Sequence, residues 1–133
     1  MRDIIEFLEA RISEDEAVAR AASPGPWQWF GDHARDRTML YASDERQVLE
    51  VYGAQSSGHL AVSGANLAHI AINSPDRVLA ECAAKRKILE NIPLVADADD
   101  ELGEVSPYVL MCLASVYRKH PEYQEGWIVD GLV

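Results

Sequence analysis

Two histidines, three cations and three aromatic residues form the one grouping in this chain whose types and spacing could do chemistry. His69, Arg77, Lys85 and Arg86 fall in a single run, "HIAINSPDRVLAECAAKRKIL". If the end of the chain folds back across that run, His120, Tyr123 and Trp127 bring a second imidazole and two ring faces, and Trp27 adds an indole from the first strand. Cations that converge beside aromatic faces capture anions, with an indole free to stack on a nucleotide-like base. A second reading of the same residues is architectural. Arg77, Glu81 and Lys85 stack at successive i,i+4 steps and support a helix surface. His120 suits the negative end of a helix dipole, Tyr123 and Trp127 suit a satellite core, and Arg86 and Lys87 suit a solvated face. Both readings stay open at the level of sequence.

Other chemistries lack their residue patterns. None of His33, His59, His69, His120, Cys82 and Cys112 forms a CxxC, HxxxH or HxxE pair, so no local metal site is expected. No GxSxG elbow marks an activated serine, and neither a Walker loop nor GxGxxG is present to cradle phosphates. No cofactor is expected, and the chain is read as non-enzymatic.

The net charge of −10 disfavours nonspecific binding to nucleic-acid backbones and favours partners with a basic surface. The charge is unevenly spread: residues 64–92 carry 3 acidic against 4 basic side chains, whereas residues 93–133 carry 8 against 2. With 133 residues, 48% of them hydrophobic, the chain is expected to fold as one domain over residues 1–133. No apolar run reaches the length of a membrane span, and the acidic start "MRDIIEFLEARISEDE" does not suit a signal peptide, so no membrane contact and a cytoplasmic location are expected. Cys82 and Cys112 sit among apolar neighbours and read as core thiols.

The elements that must position these residues can be placed by periodicity. Ile4, Ile5, Leu8 and Ile12 give residues 3–22 an amphipathic helix, whose stripe either packs internally or pairs two copies of the chain. "ASPGPWQWF" ends that helix and opens a strand at Trp27. "TMLYAS" and "QVLEVYG" flank the polar turn "DER", completing a three-stranded antiparallel meander with "GDHARDR" as the longer first connection. In that sheet Trp27 is expected to pack on the central helix. "GAQSSGHLAVSG" reads as a mobile loop, and "ANLAHIAIN" as a buried helical segment. Ser74 and Pro75 start the central helix, with Val78, Leu79, Cys82 and Leu89 inward. "NIPLVADADDELGE" is expected to break it as an acidic loop. Ser106 and Pro107 start another helix, with Val109, Leu110, Leu113, Val116 and Tyr117 inward, which ends at His120-Pro121. A last turn in "PEYQEGW" puts Tyr123 and Trp127 on one side. The fold class is α+β: an N-terminal helix, the meander, then two to three packed helices.

Four ordered blocks resemble a family of small uncharacterised proteins from actinobacteria and their phages, a domain of unknown function: "GPW" at 25–27, "HIA" at 69–71, "PDRVLAECAAKRKIL" at 75–89 and "LASVYRKHPEYQEGW" at 113–127. Where that family usually has Asp-Pro, this chain has Ser74-Pro75, which keeps a capping side chain and removes a charge. The stretch from "SPGPW" to "ANLAHIA" also resembles small phage accessory proteins. The resemblance implies a phage or mobile-element accessory role and supplies no chemistry. The leading expectation is therefore a non-enzymatic accessory protein that binds a host protein with a basic surface. The alternatives are a binder of an anionic, nucleotide-like small molecule and a small enzyme of unrecognised type.

Overall fold

Ile4, Phe7, Leu8, Arg11 and Ile12 recur at i, i+3, i+4, i+7 and i+8, which places all five on one side of a helix. The computed structural model describes residues 2–52, 64–98 and 105–132, and in it this side of α1 (Arg2–Ala21) is buried, Leu8 and Ile12 completely. The stripe is therefore packed within the chain and does not offer itself for pairing two copies. Phe7 and Arg11, absent from the stripe expected on sequence, belong to it, whereas Ile5 is only half-buried.

Three strands come next: β1 (Gln28–Asp32), β2 (Arg37–Tyr41) and β3 (Gln47–Tyr52). Then come α2 (Gly64–Ile72), α3 (Pro75–Ala98), α4 (Val105–Ala114) and two 3₁₀ turns at Ser115–Tyr117 and Glu125–Trp127. The class is the expected α+β arrangement, with an antiparallel meander in the order β1-β2-β3. The chain divides into two compact units, one of Glu16–Glu81 and one of Met1–Asp15 with Cys82–Val133, so α1 and α3 each contribute to both. Among the described residues no helix is long and apolar enough to cross a membrane.

In the Glu16–Glu81 unit, Trp29 pairs with Leu40 and Leu40 with Leu49, one row on one face of the sheet. The first connection is shorter than expected, because pairing of Gly31 with Thr38 and Asp32 with Arg37 leaves only residues 33–36 to turn. Asp36 closes that turn at φ 49°, a left-handed backbone that a short polar side chain tolerates. The strand begins one residue later than expected, at Gln28. Trp27 lies just before it and donates its indole N–H to the Ser23 carbonyl at 2.9 Å. Trp29 ties the sheet to α2, its indole N–H donating to the Leu67 carbonyl at 2.7 Å. α2 forms where expected but has no buried residue, since two and a half turns touching the sheet chiefly at β1 cover one stripe only. The expected mobile loop lies outside the described residues up to position 63.

The break at residues 23–27 is pinned from several directions. Ser43 donates its backbone N–H (3.0 Å) and its hydroxyl (3.3 Å) to the Pro24 carbonyl. Gly25 lies against the first turn of α3: a Cβ there would collide with the Asp76 carboxylate and come within 2.9 Å of the Asp76 backbone N. Ser74, 2% exposed, donates its hydroxyl to the same carboxylate at 2.5 Å, and α3 starts at Pro75 as the Ser-Pro signal implies.

In the other unit, Cys82, Leu89 and Ile92 of α3 are buried, and neither cysteine forms a disulfide. α3 continues through residues 91–98, where the sequence suggested a loop; the proline φ of about −65° is itself compatible with a helix. The rest of the acidic segment, residues 99–104, lies outside the described residues. α4 stops at Ala114 and tightens into a 3₁₀ turn, where the Ser115 hydroxyl donates to the Cys112 carbonyl at 2.6 Å. Val116, expected inward, is 67% exposed, because it lies two residues, about 200° of helical rotation, beyond the buried Ala114.

The contact at Gly25 gives a direct expectation. Gly25→Ala must push α3's first turn aside and should cost about 1–3 kcal/mol, as overpacking does. Urea denaturation followed by circular dichroism would show it as a lowered midpoint, and an unchanged midpoint would contradict the close approach.

Candidate functional site

Phe7 is the hub of the C-terminal residues that the sequence singled out. Its ring centroid lies 5.0 Å from that of Trp127, 5.7 Å from His120, 6.1 Å from Tyr123 and 6.2 Å from Tyr117, three of the four contacts edge-on. Tyr123 and Trp127 also meet each other at 5.6 Å, and the Tyr123 hydroxyl donates to the Trp127 carbonyl at 2.9 Å, so the expected shared side is real. One turn along α1, Arg11 lies over Phe7 with its guanidinium carbon 5.2 Å from the ring centroid.

Arg11 is the buried charge of this unit. Its side chain is 8% exposed, and it donates to Glu14 (2.9 Å) and to Glu122 (3.0 Å), whose carboxylates both reach in from solvent. Its Nη1 also lies 2.6 and 2.8 Å from the two ring nitrogens of His120. The Glu122 backbone N–H donates to His120 Nδ1 at 3.1 Å, which makes Nδ1 an acceptor. Arg11 Nε is buried without a hydrogen-bond partner among the described residues. Arg11 thus fixes His120 and Glu122 in place, and sequence periodicity could have found it as a polar residue at an inward helical position.

Lys85 and Arg86 lie on the buried side of α3, at i+3 and i+4 from Cys82, and both are half-buried instead of solvated. Lys85 Nζ is 3.4 Å from the Tyr117 hydroxyl and 5.3 Å from the centre of its ring. Tyr117 donates to Asp15 Oδ2 at 2.6 Å, and Arg86 donates to Ser13 Oγ at 3.0 Å. Burial first, and then the hydrogen bond to Asp15, hold the Tyr117 proton well above the ordinary tyrosine range. A phenol held protonated in this way is a donor and not a base at neutral pH.

The remaining candidates belong to the Glu16–Glu81 unit, each in its own local arrangement. His69 is exposed, with Asn73 Nδ2 3.4 Å from its ring nitrogens. Arg77 is exposed and pairs with Glu81 at 3.1 Å, as the i,i+4 spacing implies. Trp27 is bonded to the Ser23 carbonyl. The structure therefore gathers His120, Tyr123 and Trp127 around Phe7, sets Lys85 against Tyr117 and Arg86 against Ser13, and has Trp27, His69 and Arg77 in the second unit.

That second unit carries a feature not anticipated from the sequence. The sheet face opposite Trp29 presents Phe30 and Tyr41, with ring centroids 5.7 Å apart and Phe30 49% exposed. With Pro26, Gln28, Ser43 and Glu45 these rings line a pocket of about 470 Å³. On the same face Arg37 bridges the strands, donating to Glu50 at 2.9 Å with Asp32 at 3.7 Å. The alternation Gln28, Phe30, Asp32 against Arg37, Met39, Tyr41 was visible in the sequence, and only the register aligns the two rows. Among the described residues no cluster of three or more His, Cys, Asp or Glu side chains is placed to hold a metal ion.

Two outcomes test this geometry. Phe7→Ala should cost about 3–5 kcal/mol, because it empties the centre of a ring cluster, and denaturant titration monitored by circular dichroism would measure the loss. Tyr117 supplies a pH dependence. The folded chain keeps the phenolic proton after the unfolded chain has released it, so the contribution is complete below about pH 10 and is lost as pH rises further. Thermal midpoints of wild type and Tyr117→Phe should converge above that pH; parallel curves would contradict the assignment.

A family model described as "Family of unknown function (DUF6221)" matches residues 1–129. No curated protein and no solved structure matches the chain.

Proposed function

The chain belongs to DUF6221, a family of unknown function, and from that premise we propose that it is a non-enzymatic binding protein whose sheet face takes up a segment of a partner protein with a basic surface. The carrying observation is the pocket between Phe30, Tyr41 and Pro26. Its size lies in the range of about 300–1,000 Å³ typical of ligand pockets, its walls are largely apolar, and Glu45 stands on its rim. An aliphatic or aromatic side chain enters such a pocket while a neighbouring lysine or arginine of the same segment meets the carboxylate.

Electrostatics agree with this choice of partner. A chain of net charge −10 attracts basic surfaces over distances comparable to the Debye length and speeds their encounter. The lining also lacks an activated nucleophile: the Ser43 hydroxyl donates to the Pro24 carbonyl, and Tyr41 directs its hydroxyl to Met39 Sδ at 3.5 Å. A phage or mobile-element setting with a host protein as partner rests on the sequence resemblance alone. Capture of an anionic small molecule by the C-terminal residues is the weaker reading, since Tyr123 and Trp127 already engage Phe7 and each other.

The test uses a partner recovered on the immobilised chain at low salt, then purified and titrated back. Phe30→Ala and Glu45→Lys should each weaken its binding by about tenfold or more while preserving the circular dichroism spectrum, equivalent to roughly 1.4 kcal/mol. Raising the salt should weaken the wild-type complex. Equal affinity of both variants, or binding indifferent to salt, would exclude this face.

A further inference from the structure

The run "SVYRKH" at 115–120 carries the only two basic side chains among residues 93–133, beside 8 acidic ones. Both point into solvent. Arg20, Arg35, Arg46, Arg77 and Lys87 each lie within 4.0 Å of a carboxylate. Among the described residues, no carboxylate is paired with Arg118 or Lys119. Arg118 is held nonetheless, because its Nη1 donates to the Leu132 carbonyl at 3.2 Å, which commits one of five N–H donors and fixes the direction of the rest.

The surroundings of Arg118 are a groove. One hollow of about 560 Å³ is lined by the Ser115–His120 run itself. A second, of about 370 Å³, is lined by Ser115, Arg118, Glu125, Ile128 and Leu132 among others, so the two meet at Ser115 and Arg118. Apolar side chains stand on both sides: Val116 is 67% exposed, Ile128 59% and Leu132 44%. Val116 faces outward because it lies on the side of the helix away from the buried Leu110 and Ala114.

We propose that this groove is a second docking site, independent of the sheet face, and that it takes an acidic, aliphatic peptide segment of a partner protein. Charge complementarity selects the occupant. A carboxylate of the segment pairs with Arg118 and Lys119, while aliphatic neighbours on either side cover Val116 and the Ile128–Leu132 edge. Glu125, in the wall of the second hollow, repels a further carboxylate there and so fixes which end of the segment carries the acid. An anionic lipid surface would present the same charge, but it would also face the whole chain's net −10, whereas a single segment reaches only the groove.

The experiment titrates the isotopically labelled full chain with a capped peptide bearing Leu-Glu-Val at its centre and tracks backbone amide NMR shifts. Shifts confined to residues 115–120 and 125–132 are expected, with affinity at least about tenfold lower for the Leu-Gln-Val peptide. Arg118→Glu should abolish the shifts and leave the rest of the spectrum unchanged, and Arg118→Lys should retain part of the binding. No shifts at millimolar peptide, equal binding of the Gln peptide, or persistence in Arg118→Glu would overturn the proposal. So would Arg118-dependent co-sedimentation with phosphatidylserine vesicles together with no response to the peptide, which would make the groove a lipid contact.

Discussion

The stacking of Arg11 over Phe7 on α1 is the interaction from which the unit of Met1–Asp15 and Cys82–Val133 is organised. A helix can present two side chains one turn apart to the same neighbours, and here one is a ring and the other a cation. The ring receives Trp127, Tyr123, His120 and Tyr117, and the cation receives His120 and Glu122. The last segment has little regular secondary structure, only a three-residue turn at Glu125–Trp127. It holds its course because its rings and charges meet partners fixed on a helix formed over a hundred residues earlier in the sequence. Arg11 carries the larger energetic risk, since a buried guanidinium must keep its acceptors or bear an uncompensated charge.

The Glu16–Glu81 unit is governed by a steric constraint instead. Gly25 lets the chain pass against the first turn of α3 closely enough that no side chain fits between. The Pro24 carbonyl is held from the other direction by Ser43, at the turn between β2 and β3. Two of the blocks that mark the family resemblance, "GPW" and the start of "PDRVL", are therefore contact partners, and their separation in sequence spans the sheet and α2. The same packing positions Pro26 at the mouth of the pocket whose walls are Phe30 and Tyr41. A structural turn and the proposed binding surface thus share residues.

The two exposed surfaces differ in polarity, each because of its local construction. On the sheet, Phe30 and Tyr41 lie in the strand rows that face away from Trp29, and Glu45 closes the rim from a left-handed backbone position at φ 69°. At the C-terminal groove, Val116 stands exposed next to Arg118 and Lys119. The acid-rimmed apolar pocket on the sheet and the cationic groove with apolar edges are the two surfaces proposed to take different segments.

Local rules were enough for the elements. The periodicity of α1, the Ser-Pro start of α3, the alternation in the strands and the shared side of Tyr123 and Trp127 depend on neighbours within a turn or a hairpin, and those neighbours are written consecutively in the chain. Some local signals gave the wrong limit: α3 runs past Pro93, and α4 ends at Ala114 in a 3₁₀ turn with Val116 outward. That the Trp29 indole would meet the Leu67 carbonyl of α2 was not written in either segment alone. The placement of Lys85 and Arg86 was decided by what lies opposite them, Tyr117 and Ser13, and no spacing within α3 contains that information. Phe7 and Arg11 show the limit most directly: their position on the buried stripe can be computed from the sequence, but the aromatic and acidic partners that make them central come from residues 117–127 and meet them only when the chain has folded.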